Sequence, residues 1–125
     1  IVGASASTPG NLIVGANARA YNPIVTVTDA ACISVNFALS NNFLVTVGGN
    51  RTLKAPTNCT VGQSGNIYFI QDSTGSRTLG YNTAWQFVSA SVPSLSTGAS
   101  DVDLLTYMAR SATTIDVALL KNFDR

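Results

Sequence analysis

Asp101 and Asp103 are the residues whose type and spacing come nearest to chemistry. Two apart in a strand, their carboxylates point to one side, where they could hold a hard cation or form half of a glycosidase site. The plainer readings are a solvated strand end, or ion pairs to an arginine of a neighbouring chain. The sequence contains no His and no Glu, which removes Ser-His-Asp and Cys-His nucleophile systems and histidine metal sites. Two cysteines, Cys32 and Cys59, are too few for zinc. Gly62-Gln63-Ser64-Gly65 lacks the spacing of a nucleophile elbow, and no Ser stands three residues before Lys54 or Lys121. Gly48-Gly49-Asn50-Arg51-Thr52 lacks the length and lysine of a phosphate-binding loop. The expectation is a protein that is not an enzyme, with no catalytic residue, no metal and no cofactor.

Recognition by surface is the remaining possibility. Tyr81, Trp85 and Tyr107 could form a stacking platform for a sugar, with Asn, Asp and Arg nearby to fork onto hydroxyls. Aromatics at strand positions also serve as core, and for Trp85 packing is the first reading. Charged residues make up 10% of the chain and the formal net charge is +1, whereas about a quarter of a soluble domain is usually charged. The seven basic residues are scattered among the acidic ones and form no stripe, so no nucleic-acid partner is expected. No apolar run approaches the roughly 18 residues that cross a bilayer, and the first residues lack a signal peptide's basic and apolar regions. A soluble chain with no membrane partner follows as an expectation.

The elements that must position these residues read as strands. Residues 1–11, IVGASASTPGN, have no periodicity and read as an extended N-terminal arm. Residues 12–125 read as a single β-sandwich domain. Val25 and Val27, then Ile33, Val35, Phe37 and Leu39, then Phe43, Val45 and Val47 alternate with smaller or polar residues. Gly48-Gly49-Asn50 reads as a turn where positive φ is cheap, and Pro56 ends or edges the strand at Arg51–Leu53. Ile67–Ile70 is apolar on both faces and reads as central; Thr78–Tyr81 reads as its antiparallel return across a DSTGS loop, with Asp72 capping the turn and Gly75 left-handed. In the Ser- and Pro-rich loop that follows, Val92 and Leu95 read as plugs. Val102–Ala109 and Ile115–Leu119 form the clearest hairpin, turned at Arg110–Thr113. The expected fold is all-β, an antiparallel β-sandwich or jelly roll of about eight strands. Cys32 and Cys59 read as free buried thiols; a bridge between them stays open. Asn50-Arg51-Thr52 and Asn58-Cys59-Thr60 fit the glycosylation sequon, a common chance match in so Asn- and Thr-rich a chain.

The segments Asn50–Thr57, Gly62–Gly65, Gln71–Leu79, Trp85–Phe87 and Asp101–Ile115, with a looser match over Ile33–Val47, resemble a β-domain of tailed-bacteriophage virion proteins. That domain recurs in tail-fibre-like proteins and in small head decoration, or cement, proteins. The resemblance implies a structural or adhesive virion module, a homotrimer, without a cofactor. The chain's modest length favours capsid decoration: trimers on the head surface that bind the major capsid protein and stabilise the shell by binding. The alternative is a tail-fibre tip that adheres to host surface glycans. Asp72, Arg77, Trp85, Tyr107 and Arg110 are the candidate interface residues.

Overall fold

The computed structural model describes residues 16–17 and 20–124; the arm expected at 1–11 lies outside them. Among the described residues nine strands form two sheets: β1 (Ile24–Thr26), β2 (Cys32–Ile33), β3 (Asn42–Val47), β4 (Arg51–Leu53), β5 (Ser64–Gln71), β6 (Leu79–Tyr81), β7 (Trp85–Phe87), β8 (Val102–Ser111) and β9 (Thr114–Leu120). The larger sheet has the order β1-β3-β5-β8-β9-β7 and the smaller the order β2-β4-β6. Among the described residues, the helical structure is one 3-10 turn at Val88–Ala90.

Alternation explains why these segments become strands. In β3, β5, β8 and β9 one side-chain parity is buried, giving Phe43, Val45, Val47, Ile67, Phe69, Leu105, Tyr107, Ala109, Ile115 and Val117. The smaller sheet adds Ile33, Leu53 and Leu79 to the same core, with Val35, Phe37, Trp85 and Leu95 filling its ends. The all-β class and the two-sheet plan thus agree with the sequence.

The pairing is mixed, and here the structure departs from an antiparallel sandwich. From β1 to β6 the chain alternates between the sheets, and each return adds a parallel neighbour: β3 beside β1, β5 beside β3, β4 beside β2, β6 beside β4. Parallel neighbours need a long crossover; here a strand of the opposite sheet supplies it. The result is a coil of three turns, closed by the antiparallel set β5-β8-β9 and by β7 running parallel to β9. The segment expected to return antiparallel on Ile67–Ile70 is β6, which lies in the other sheet.

Local expectations divide in the same way. Ile67–Ile70 is central, between β3 and β8. Asp72 caps its own turn through the Thr74 and Gly75 amides at 3.1 and 3.0 Å, and Gly75 sits at φ 76. Gly48 and Gly49 do not take positive φ; at Gly49 a Cβ would meet the Arg51 guanidinium at 2.6 Å, so space is what glycine supplies there. Leu95 is buried as a plug, whereas Val92 is exposed. Both cysteines are free, Cys59 half-buried but Cys32 exposed, because Cys32 faces away from the core that Ile33 enters.

Candidate functional site

The acidic pair separates as soon as it is placed. Asp103 lies in the row Val45–Phe69–Asp103 on the inner face of the larger sheet and is 1% exposed. Its two oxygens accept from the Ser96 and Asn122 amides at 2.7 and 2.8 Å. Asp101, just before β8, accepts from the Gly98 amide at 2.7 Å. Both carboxylates are committed to backbone, so they shape a loop and the chain end and do not form a shared cation or acid site. Next along this end of the core, the buried Gln71 amide donates to the Arg77 and Ser96 carbonyls and accepts from the Arg77 amide. It ties the 72–78 loop to the 95–101 loop.

Asp72 and Arg77 sit on that tied loop and bond to each other, Nη2 to Oδ2 at 2.8 Å. The guanidinium, with the Gly75 amide behind it, holds the Asp72 carboxyl down at about 2. Beside it Arg51 grips Asp29 through two guanidinium nitrogens and lowers that carboxyl too. Asp29 and Arg51 are far apart in sequence, and no local pattern marks them as partners. Arg110 stands at the opposite end of β8, where the register slips between Ala109 and Ser111. It pairs with Asp116 in an exposed bridge at 2.8 Å, which lowers the Asp116 carboxyl.

The proposed aromatic platform is dispersed into packing. Trp85 is 3% exposed and its indole N–H donates to the Lys54 carbonyl at 3.0 Å. Tyr107 is also buried; it stacks on Phe37 at 4.7 Å and donates to the Asn41 carbonyl at 2.7 Å. Burial pushes its hydroxyl up to about 12. Gly65 makes that approach possible, since a Cβ there would land on the Asn41 carbonyl. Tyr81 packs edge-on against Phe87 at 4.7 Å, and burial raises its hydroxyl as well. Trp85 and Tyr107 therefore offer no aromatic face to a ligand, which corrects their placement as surface candidates. Asp72, Arg77 and Arg110 are at the surface, each already paired.

Sequence reasoning finds Ile67–Ile70 apolar on both faces, but it does not assemble the outer face of the larger sheet across its strands. Leu44, Tyr68, Leu104 and Leu120 are register partners across β3, β5, β8 and β9. Ile70 and Val102 form a second outer pair beside them. Asn66, Thr106 and Ala118 form a third, uncharged row. A solvated sheet face normally carries charge or strong polarity at these positions; here the charged pair Arg110–Asp116 is confined to one corner. The readable signal was the apolar character of Tyr68, Ile70 and Leu104 on the parity opposite to the core. A shallow cleft of about 290 Å³ opens elsewhere, lined by Pro56, Asn82, Thr83, Ala84, Ala112 and Thr113 among others, with no charged side chain.

Comparison with known proteins adds what geometry alone does not. No curated protein and no solved structure matches the chain. Residues 22–112 match a family model described as "Putative phage tail fibre C-terminal domain". The match starts just before β1 and ends in the β8–β9 turn, so it takes in the whole three-turn coil and most of the antiparallel set. Matched over most of its length, this two-sheet β-domain belongs to the phage tail fibre C-terminal domain family and is a phage virion protein.

Proposed function

We propose that this chain is the terminal adhesive module of a bacteriophage tail fibre, working by binding alone and assembled as a homotrimer. The observation that carries the reading is the family match over residues 22–112. The outer face of the larger sheet supports the assembly. Its central rows, Leu44–Tyr68–Leu104–Leu120 and Ile70–Val102, are apolar, and no like charges meet when copies bring these rows together. Contiguous apolar area of this kind on a monomer is a mark of an interface. Adhesion to a neutral host-surface glycan suits the uncharged cleft at Asn82, Thr83 and Thr113, which offers amide and hydroxyl groups beside Pro56 and Ala84.

Head decoration by attachment to the major capsid protein is the rival reading, and chain length was its main argument. The family match speaks for the fibre. Labelling intact virions with an antibody to this chain, and counting copies per particle, separates the two. The fibre reading expects few copies, located at the tail. Hundreds of copies on the head surface would overturn it. Binding of the isolated protein to a glycan array, weakened by Asn82→Ala, is the expected outcome for the adhesive role.

A further inference from the structure

The cleft at Asn82 is bounded by three segments that are distant in sequence: Ala55–Pro56 after β4, the β6–β7 turn at Asn82–Ala84 and the β8–β9 turn at Ala112–Thr113. The middle segment is fixed by its own hydrogen bonds. The Asn82 amide donates to the Leu53 carbonyl at 2.9 Å, its carbonyl accepts from the Trp85 amide at 3.1 Å, and its side-chain Oδ1 accepts from the Ala84 amide at 2.9 Å. A backbone N–H can be met only by the oxygen end of that side chain, so Nδ2 is the end left over. Among the described residues it has no hydrogen-bond partner. The Thr83 carbonyl accepts from Gln86 Nε2 and the Ala84 carbonyl from the Ile115 amide. Every backbone carbonyl of the 82–84 turn is thus engaged. What the turn still offers is a preorganised donor, Nδ2, beside the Thr83 hydroxyl.

The rest of the lining sets a second condition. Ala55, Pro56, Ala84, Ala112 and Ile115 present methyl and methylene groups, and among the described residues the lining has no aromatic ring and no charged side chain. A sugar ring cannot stack here as it would on an aromatic face, and an anionic ligand would find no cation. The fitting ligand is neutral and sets a strong acceptor next to a small apolar group. An acetamido substituent does both: its carbonyl accepts, its methyl is apolar, and its N–H can be met by a threonine hydroxyl. A plain hexose has hydroxyls but no methyl, and a 6-deoxyhexose has the methyl without the carbonyl. Resting on the reading that this cleft takes a neutral glycan, we infer that its ligand is an N-acetylated hexosamine residue. The acetamido carbonyl accepts from Asn82 Nδ2, and the methyl lies against Pro56 and Ala84. At about 290 Å³ the cleft is at the small end of ligand sites and suits one sugar residue.

NMR titration of the isotopically labelled full chain tests this with the methyl glycosides of N-acetylglucosamine, N-acetylgalactosamine, glucose and rhamnose. At least one acetamido glycoside is expected to move the Asn82 side-chain amide and the Ala84 and Thr113 backbone amides. It should bind about tenfold more tightly than the glucoside and the rhamnoside, the measure of one hydrogen bond. Asn82→Asp keeps an oxygen for the Ala84 amide but removes the donor, so β8 and β9 signals should stay in place while the acetamido preference disappears. A glucoside or rhamnoside that binds as well as the acetamido glycosides overturns the inference and leaves neutral-glycan adhesion standing. A preference that survives Asn82→Asp also overturns it. If no glycoside moves these signals, the inference and the adhesive use of the cleft fall together, and the count of copies per virion still decides between tail and head.

Discussion

The β8–β9 hairpin and the β1–β6 coil bury side chains of the same kinds, yet they are held together in different ways. β8 and β9 are neighbours because the chain turns back between Ser111 and Thr114, and their register follows from that turn. β1, β3 and β5 are neighbours because the chain leaves the sheet, crosses to the other and returns, eighteen residues later between Ile24 and Asn42 and twenty-four between Asn42 and Asn66. Closing those loops costs chain entropy before any contact rewards it. The coil therefore depends on the core between the sheets, while the hairpin has local bonds of its own. The two meet at β5–β8, where Phe69 faces Asp103.

The largest break in this comparison is expected from the coil's core. Phe69→Ala empties a fully buried position in the central strand and should cost about 3–5 kcal/mol, read as a lowered denaturant midpoint with both sheets lost together. Next is the junction. Asp103→Ala strands the Ser96 and Asn122 amides and should cost about 1–3 kcal/mol, with faster exchange at those two amides; Asp103→Asn, which keeps acceptor oxygen, should restore part of it. A smaller effect is expected from acid. The Asp72 carboxyl is held at about 2 in the fold against an ordinary 3.8, so its contribution is complete above 3.8 and is lost as the pH falls towards 2. Thermal melts over that range should show Arg77→Ala flattening this acid loss, and an NMR titration should show Asp72 returning towards 3.8. The smallest change belongs to the hairpin's exposed pair: Arg110→Ala should leave the melting temperature unaltered, because solvent screens the bridge to Asp116.

What the sequence disclosed follows the same division. The β8–β9 hairpin, its turn, the Asp72 cap and the central place of Ile67–Ile70 were legible because each is written in neighbouring residues or in a run apolar on both faces. The parallel pairing of Cys32 with Thr52 or of Leu44 with Tyr68 was not, because the spacings between successive returns differ and leave no repeat to find. Trp85 illustrates the limit at the candidate site. Its type suits a stacking platform or a core equally, and the choice was made by the Lys54 carbonyl, which meets the indole from a distant part of the chain. The outer apolar row was hidden for a related reason, since Leu44, Tyr68, Leu104 and Leu120 become a surface once four strands are set in register.

This outer row is the proposed meeting place of copies of the chain. Sedimentation equilibrium over a wide dilution range tests it most directly. The prediction is a particle of three 13.0 kDa chains that Leu104→Glu converts to folded monomers. A monomer at every concentration, or a trimer indifferent to Leu104→Glu, would contradict it.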